Sequence, residues 1–365
     1  MEQTLTLQKR AYFFGFSRWK RGYTRPFFPQ HNLHFCISLE KALKLGLDER
    51  SEIFIWGKKA FDAVESYAER KGIPLFRVED GFVRSVSLGS DLTKAYSLVV
   101  DGQGIYFDPT HPSDLEHTLN TYDFDEKLLE RARKLRRYLV EKKISKYNIY
   151  GDKVLKLEGL REGQRVAMVP GQVEDDASIR YGANGMQNIE LLREARRTAS
   201  DAYIIYKPHP DVLVGNREGN VTEEDALQYC DTIITEASLD SVLMLADEVH
   251  TMTSLVGFEA LLRGKKVYTY GMPFYAGWGV TVDIQKSERR TTQRTLDELA
   301  AAAFILYPRY IDPQDNSSCE IEQLLEVVDK EKNRYNNDTF YKLRVDIRNW
   351  ISRKIQLLIK VILGE

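Results

Sequence analysis

Cysteine is scarce in this 365-residue chain, and the three that occur stand far apart. Cys36, Cys230 and Cys319 show no spacing typical of zinc ligands or of a disulfide framework, so neither is expected. No stretch of membrane-spanning length is free of charged residues, and the amino terminus has no long apolar segment typical of secretion signals. A protein of the reducing cytoplasm is therefore the simplest prediction.

An excess of charge of either sign is also missing. The 52 basic and 54 acidic residues leave a formal net charge of -2. Because nucleic-acid binders usually carry a basic surplus, no nucleic-acid partner is expected. The hydrophobic share of 43% is sufficient for two cores of ordinary size.

Short apolar runs alternate with helical patterns along most of the chain, which predicts parallel sheets. Helices are expected at 39–45, 59–70 and 125–143, and a linker between two halves at 145–163. Strands are expected at 11–15, 52–56 and 74–78 in the first half, and at 165–169, 202–206, 232–235, 248–252 and 266–270 in the second.

Three polar segments follow predicted strands of the second half, where open α/β sheets bind ligands. They are GQVEDDAS at 171–178, KPHP at 207–210 and TSLVGFEA at 253–260. The first offers the adjacent carboxylates of Asp175 and Asp176, and the second holds His209 between two prolines that stiffen the backbone. The third begins a helix, whose N-terminus suits an anion. Together the segments suggest a nucleotide-sugar site.

Each segment also has a structural interpretation. Asp175 and Asp176 can act as helix N-caps, and a single histidine such as His209 is usually structural. Thr253 and Ser254 can cap the following helix, a role that is compatible with phosphate binding.

Six motifs in the same order resemble the KpsC/LipA family of capsule proteins, which are retaining β-Kdo (3-deoxy-D-manno-oct-2-ulosonic acid) transferases. In chain order they are FGFSRWKR, VEDGFVRS, GQVEDDAS, KPHP, TSLVGFEALLRGKKV and YGMPFYAGWG. The resemblance covers residues 11–310 and corresponds to a single module of that family. It implies an α/β, GT-B-like fold in which two Rossmann-like domains face each other across a cleft. The residue pattern beyond it predicts a C-terminal amphipathic helical tail.

The expected domains are an acceptor-binding domain at 1–160 and a CMP-Kdo-binding domain at 161–312, followed by a helical tail at 313–365. The tail mixes apolar residues with cations between Tyr341 and Leu363. Such a helix would lie in an anionic membrane surface. Packing across the first domain, with the cations facing solvent, is the alternative.

The resemblance implies transfer of Kdo from CMP-β-Kdo to a β-Kdo-terminated lyso-phosphatidylglycerol glycolipid in capsule linker synthesis. Retention would result from double displacement through an adduct on a carboxylate. Asp176 is the expected nucleophile and Asp175 the alternative, while His209 is expected to contact the phosphate and assist departure of CMP.

No metal or other cofactor is expected, because one phosphate needs less neutralisation than two. Expected partners are the donor, the glycolipid acceptor, the cytoplasmic face of the inner membrane and other capsule assembly proteins.

The remaining site residues are assigned by the same resemblance. Donor binding is expected from Gln172, Lys207, His209, Pro210, Thr253, Ser254, Gly257 and Glu259. Asp80 is the expected base for the acceptor hydroxyl, and acceptor binding is expected from Arg18, Lys20, Glu79 and Arg84. An Asp-Gly turn with a surface arginine is the alternative for 80–84. The aromatic segment 273–279 either shapes the donor pocket or packs in the core.

Two other classes of function stay open at this point. One is a non-catalytic module that binds capsule glycolipid for export, and the presence of Asp176, His209 and Glu259 together counts against it. The other is a sugar-nucleotide epimerase of the same fold, against which the Asp-Asp segment and KPHP count. Turnover of CMP-Kdo would separate these classes. Whether the linkage formed is (2→4) or (2→7) depends on how the acceptor lies.

Overall fold

The computed structural model describes residues 8–84, 94–144, 155–213 and 217–363. Its strands are β1 (Lys9–Phe14), β2 (His31–Cys36), β3 (Glu52–Trp56), β4 (Leu75–Asp80), β5 (Ser97–Asp101), β6 (Val166–Pro170), β7 (Tyr203–Lys207), β8 (Thr232–Ile233), β9 (Glu248–Thr251), β10 (Lys266–Thr269), β11 (Val282–Asp283), β12 (Pro308–Ile311) and β13 (Ser318–Cys319).

The helices follow the same chain order. They are α1 (Arg18–Thr24), α2 (Leu39–Lys44), α3 (Asp62–Lys71), α4 (Asp114–Thr121), α5 (Glu126–Glu141), α6 (Ala177–Gly182), α7 (Asn188–Thr198), α8 (Pro210–Leu213), α9 (Glu223–Leu227), α10 (Leu239–Leu245), α11 (Leu255–Leu262), α12 (Leu296–Ala300), α13 (Ile321–Asn337) and α14 (Thr339–Leu363). A 3-10 turn at Arg25–Phe27 and a π-helical turn at Ala301–Leu306 complete the set.

By its internal contacts the chain divides into two compact units. The first unit contains the residues up to Ile105 and those from Ala303 onward, and the second contains most of the residues between Tyr106 and Ala302. Each unit is built around its own sheet.

The sheet of the first unit has the strand order β13-β12-β5-β4-β3-β1-β2. Strands β2, β1, β3 and β4 are parallel to one another. Strand β5 runs antiparallel to β4, β12 runs antiparallel to β5, and β13 runs antiparallel to β12. Strand β1 is buried on both faces: Phe13 packs in one core cluster, and Tyr12 and Phe14 in another. Such burial on both faces is typical of a central parallel strand.

The sheet of the second unit has the order β11-β10-β9-β6-β7-β8, and all its pairings are parallel. Strand β6 lies between β9 and β7, so the segments that leave these three strands emerge side by side at one edge. Because strands β6 and β7 lie in the sheet interior, their residues Val166–Pro170 and Tyr203–Tyr206 are buried. The parallel sheet predicted for this half is confirmed.

The strands predicted for the first unit, β1, β3 and β4, pair in parallel as expected, but the sheet continues at one edge with strands that the pattern did not predict. Strand β4 pairs with β5 in the antiparallel direction, with Val78 opposite Val100. The pattern also gave no indication of β2, since His31, Asn32 and His34 interrupt its apolar residues. This strand lies at the sheet edge, where pairing with one neighbour tolerates polar side chains.

The contacts divide the chain differently from the predicted boundaries at residues 160 and 312. Helices α4 and α5 belong to the second unit, and the final helices belong to the first. Glu116 on α4 is buried and accepts hydrogen bonds from Arg289 Nε at 2.7 Å and Arg290 Nε at 3.1 Å. Arg136 on α5 pairs with Asp297 at 3.2 Å. These ion pairs join segments far apart in sequence, which a local pattern does not reveal. Residues 145–154 of the predicted linker lie outside the described residues.

Candidate functional site

The segment after β6 passes unusually close to the segment after β7. A Cβ atom at Gly171 would lie 2.8 Å from the Tyr206 hydroxyl and 3.2 Å from the backbone nitrogen of His209. The Gly171 N–H donates to the Lys207 carbonyl at 2.8 Å. Glycine is therefore required here by close approach, and it brings the carboxylate segment beside the KPHP segment.

The side chain of Gln172 joins the segment after β6 to the end of β9. Its Nε2 donates to Thr253 Oγ1 at 3.0 Å, and its Oε1 accepts from the Thr253 N–H at 3.0 Å and from Thr251 Oγ1 at 3.2 Å. Gln172 is only 6% exposed. Both ends of its amide have protein partners, so Gln172 holds the two segments together, and its contact with a donor stays a prediction.

Asn188, the first residue of α7, anchors the same segment and has no counterpart among the predicted site residues. Its Oδ1 accepts from the Gln172 N–H at 2.8 Å, and its Nδ2 donates to the carbonyls of Gln172 at 2.7 Å and Gly219 at 2.9 Å. The side chain is fully buried. A lone asparagine at a helix start carries no sequence signal for this role, because the partners come from distant segments.

Asp176 is the N-cap of α6, as its structural interpretation predicts. Its Oδ1 accepts from the Ser178 N–H at 2.9 Å and from Ser178 Oγ at 2.7 Å. Thr253 Oγ1 in turn lies 3.3 Å from Ser178 Oγ, so the carboxylate is linked to the segment after β9. Within the described residues, Asp176 Oδ2 has no hydrogen-bond donor, so this oxygen is available to a ligand.

Asp175 is held differently from its neighbour. Its two carboxylate oxygens lie 2.9 and 3.0 Å from Nε of Arg217. Both side chains are partly exposed, with about a third of each accessible to solvent. Sequence reasoning missed Arg217, which lies 42 residues away in a polar loop. The pair uses both oxygens of Asp175, whereas Asp176 keeps one uncommitted.

Lys207 is the last residue of β7, and His209 follows two residues later. Lys207 Nζ donates to the Ala237 carbonyl at 2.9 Å, and burial lowers the pKa of Lys207 to about 8. In the described parts of the chain Lys207 forms no ion pair with a carboxylate, and burial is the cause of its lowered pKa. His209 Nδ1 accepts from the Asp211 N–H at 3.1 Å, which favours the neutral tautomer that carries its proton on Nε2. Pro210 begins the short helix α8.

The third segment begins α11, and Ser254 is its N-cap. Ser254 Oγ accepts from the Val256 N–H at 3.2 Å, so the capping interpretation is confirmed for this residue. A Cβ at Gly257 would lie 2.2 Å from the Tyr275 hydroxyl, which explains glycine at this position. Glu259 lies on the same helix and is only 6% exposed.

The aromatic segment 273–279 packs in the core of the second unit. Tyr275 and Trp278 are fully buried, and Trp278 Nε1 donates to the Phe274 carbonyl at 2.8 Å. The Tyr275 hydroxyl donates to the Ser254 carbonyl. Of the two interpretations, core packing is the one observed, and this core supports the start of α11.

In the first unit, four of the predicted acceptor-site residues form one charged cluster. Arg84 Nε donates to Asp80 Oδ2 at 2.7 Å, and Lys20 Nζ lies 3.1 Å from the centroid of the Trp56 ring. Burial lowers the pKa of Lys20, while the negative charges of Glu79 and Asp80 oppose that effect. Arg18 is exposed on the same helix as Lys20.

The interpretation of Arg84 as a surface arginine is wrong. Its side chain is 1% exposed and forms an ion pair with Asp80, which is 15% exposed. A Cβ at Gly81 would lie 2.3 Å from Ser97 Oγ, so this glycine permits close packing against β5. Because its guanidinium is buried and bound to Asp80, Arg84 is poorly placed to bind an acceptor carboxylate. Ser85 lies outside the described residues.

Comparison with protein families gives one match over most of the chain. Residues 51–310 match the family described as capsule polysaccharide biosynthesis protein. Among curated proteins, the chain is 44% identical over 335 residues to the capsule polysaccharide modification protein LipA of Neisseria meningitidis serogroup B. It is 42% identical over 327 residues to the lipopolysaccharide-processing protein LpsZ of Rhizobium meliloti.

These alignments cover different shares of the two relatives. The LipA alignment covers 91% of this chain but 47% of LipA, so the chain spans about half the length of that relative. The LpsZ alignment covers 88% of this chain and 74% of LpsZ.

Two solved structures share the fold. The β-Kdo 2,7 transferase of Thermosulfurimonas dismutans KpsC is 35% identical with a TM-score of 0.73, and the alignment covers 89% of this chain and 100% of the other. The β-Kdo 2,4 transferase of the same KpsC is 30% identical with a TM-score of 0.75, and the alignment covers 88% and 98%. The mixed-sheet α/β fold described above is thus the fold of solved transferase modules.

Proposed function

Because the chain belongs to the capsule polysaccharide biosynthesis protein family, we propose that it is a retaining β-Kdo transferase that acts in capsule polysaccharide modification. One observation carries this proposal. At the edge where β6, β7 and β9 end, the structure brings together a carboxylate with an uncommitted oxygen, a desolvated lysine with a histidine, and the start of α11. A transferase needs these groups to attack a sugar, to bind its phosphate and to release the leaving group.

The donor is CMP-β-Kdo in this proposal. Lys207 offers an ammonium group without a carboxylate partner among the described residues, and an anionic phosphate would supply the missing counter-charge. His209 Nε2–H would donate to the same phosphate and assist departure of CMP. Ser254 and Glu259 would contact the nucleotide from α11, whose N-terminus favours an anion.

Asp176 is the nucleophile in this proposal. Its Oδ2 would form a bond to the anomeric carbon while the bond to the CMP phosphate breaks, and CMP leaves with the bonding electrons. The acceptor hydroxyl then attacks the adduct, a base takes its proton, and Asp176 is released. Two inversions give net retention. The pairing of Asp175 with Arg217 supports Asp176 over Asp175, since both oxygens of Asp175 are engaged.

The acceptor would be a β-Kdo-terminated lyso-phosphatidylglycerol glycolipid. Asp80 would serve as the base for its hydroxyl, and Arg18 and Lys20 would attract its anionic groups. The observed ion pair gives Arg84 a second role, because a buried guanidinium bound to Asp80 Oδ2 would hold that carboxylate in a fixed orientation.

A direct test is incubation of the purified chain with CMP-Kdo and a synthetic β-Kdo-terminated acceptor. Mass spectrometry is expected to show an acceptor extended by one Kdo and stoichiometric release of CMP. Release of CMP without extension would indicate that a different acceptor is used. No release of CMP with any acceptor would contradict the proposal and favour a glycolipid-binding role.

The desolvated lysine leads to a pH-dependent prediction. Because burial lowers the pKa of Lys207 to about 8, the residue loses its charge as the pH rises above that value. If the ammonium binds the donor phosphate, kcat/KM for CMP-Kdo should fall above pH 8, approaching tenfold per pH unit. Initial rates at low donor concentration, measured from about pH 6.5 to about pH 9.5, test this expectation.

Lys207→Arg provides the matched control for that profile. The guanidinium stays charged throughout this pH range, so the decline above pH 8 should disappear in the variant. An unchanged decline in Lys207→Arg would assign the titration to another group and remove Lys207 from donor binding.

Turnover is predicted not to require a metal ion. In this proposal the leaving group CMP carries one phosphate, which needs less neutralisation than two. Activity after exhaustive dialysis against a chelator should equal that of untreated protein, as measured by CMP release. A loss that added Mg²⁺ or Mn²⁺ restores would contradict this prediction.

A further inference from the structure

Helix α14 packs against α13 through one narrow face. Val345 and Asn349, one turn apart, are buried on this face. The Tyr335 hydroxyl of α13 donates to Asp346 Oδ1 at 2.7 Å, and the Arg334 guanidinium lies 4.4 Å from the centroid of the Tyr341 ring. This packing fixes which side of α14 is turned toward the protein.

The opposite side of α14 carries large apolar side chains that are exposed. They are Phe340 (86% exposed), Leu343 (55%), Ile347 (50%), Trp350 (62%) and Ile351 (44%). At about 100° per residue, all five positions fall on the side of the helix opposite Val345. We call these five residues the outward face of α14. An aligned set of exposed apolar side chains marks a contact surface rather than scattered exposure.

Cations accompany this apolar face. Residues 339–363 include six Lys or Arg residues but only one acidic residue, Asp346. Arg344 and Lys354 are exposed, and Lys354 Nζ lies 5.9 Å from the centroid of the Trp350 ring. Apolar residues flanked by cations are complementary to a surface that is apolar inside and anionic outside.

We propose that the outward face of α14 lies in the surface of an anionic lipid bilayer, with the helix parallel to the membrane plane. Tryptophan side chains are typical of the boundary between the apolar interior and the polar headgroups of a bilayer. In the proposed orientation Trp350 lies at that boundary. Among the described residues, no helix has the length and apolar content needed to cross a membrane. A second copy of the chain is a less favourable occupant, because pairing two such faces would bring their cations together.

Vesicle sedimentation with the full chain tests this proposal and needs neither donor nor acceptor, so its result is independent of the transferase assay. The chain is expected to bind vesicles of equal parts phosphatidylglycerol and phosphatidylcholine, and to bind pure phosphatidylcholine much more weakly. The double variant Ile347→Glu/Trp350→Glu should lower the partition coefficient at least roughly 100-fold, since two apolar side chains are lost from the interface. Arg344→Gln/Lys354→Gln should lower it about 25-fold, since each cation contributes about fivefold.

The matched control is Ile37→Glu/Met244→Glu, which adds the same charge at two exposed apolar positions outside α14. This variant should keep wild-type binding. Equal binding by the wild-type chain and the Ile347→Glu/Trp350→Glu variant would overturn the proposal, as would absence of binding to anionic vesicles. Light scattering over a range of protein concentrations tests whether a second copy of the chain covers the outward face instead. If the chain does not bind vesicles but forms a dimer that Trp350→Glu abolishes, the outward face is a contact between two copies.

Discussion

Asp176→Asn is expected to lower the rate of Kdo transfer by at least about 1,000-fold. The amide is too weak a nucleophile to form the sugar adduct that the carboxylate forms. Asparagine is as good an N-cap as aspartate, so α6 should keep the interaction with the Ser178 N–H and the chain should stay folded. The measurements are CMP release, and intact-protein mass spectrometry of enzyme mixed with CMP-Kdo in the absence of acceptor.

Asp175→Asn is the companion variant that separates the two carboxylates. It weakens the contact with Arg217, so a smaller loss of activity is expected and the adduct should still form. In the wild-type protein, peptide mapping should place the adduct on Asp176. An adduct that persists in Asp176→Asn and disappears in Asp175→Asn would reverse the assignment.

Arg84→Met is expected to destabilise the first unit by about 3–5 kcal/mol. The arginine is 1% exposed, and its removal leaves the carboxylate of Asp80 without its 2.7 Å ion-pair partner at a site that is mostly shielded from water. Methionine fills a similar apolar volume, so lost packing should contribute little. Denaturant unfolding followed by far-ultraviolet circular dichroism measures the change in the free energy of unfolding.

The double variant Asp80→Asn/Arg84→Met tests whether the ion pair is the cause. Removing the carboxylate together with the arginine should recover much of the lost stability, because the double variant has no Asp80 carboxylate that has lost its arginine partner. If Arg84 instead gripped the acceptor, Arg84→Met would keep wild-type stability and only raise KM for the acceptor. That outcome would contradict the structural role inferred here.

Much of the second unit could be predicted from sequence. Its buried parallel strands are short apolar runs, and hydrophobic burial on both faces of a sheet requires such runs. Strands β6 and β7 accordingly lie within one residue of their predicted bounds. The polar segments GQVEDDAS, KPHP and TSLVGFEA directly follow apolar strands, and the structure shows the first two in contact through Gly171.

The antiparallel edge of the first unit and the placement of α4 and α5 could not be predicted in this way. Strand β5 has the same apolar character as a parallel strand, and only its pairing with β4 shows its direction. The placement of α4 depends on ion pairs between Glu116 and two arginines 173 and 174 residues away. Local patterns carry no information on either feature.

The sequence by itself determined the residue types at the candidate site and the strands that carry them, because hydrophobic patterning and segment chemistry are local properties. It also supported the resemblance to Kdo transferases, and the family is confirmed. Only the tertiary structure decided the partners of each group. Arg217 forms an ion pair with Asp175, and the buried Arg84 forms one with Asp80. Gln172 links the segment after β6 to the segment after β9. Hydrogen bonds and ion pairs form between groups that folding brings within about 3 Å, whatever their separation along the chain.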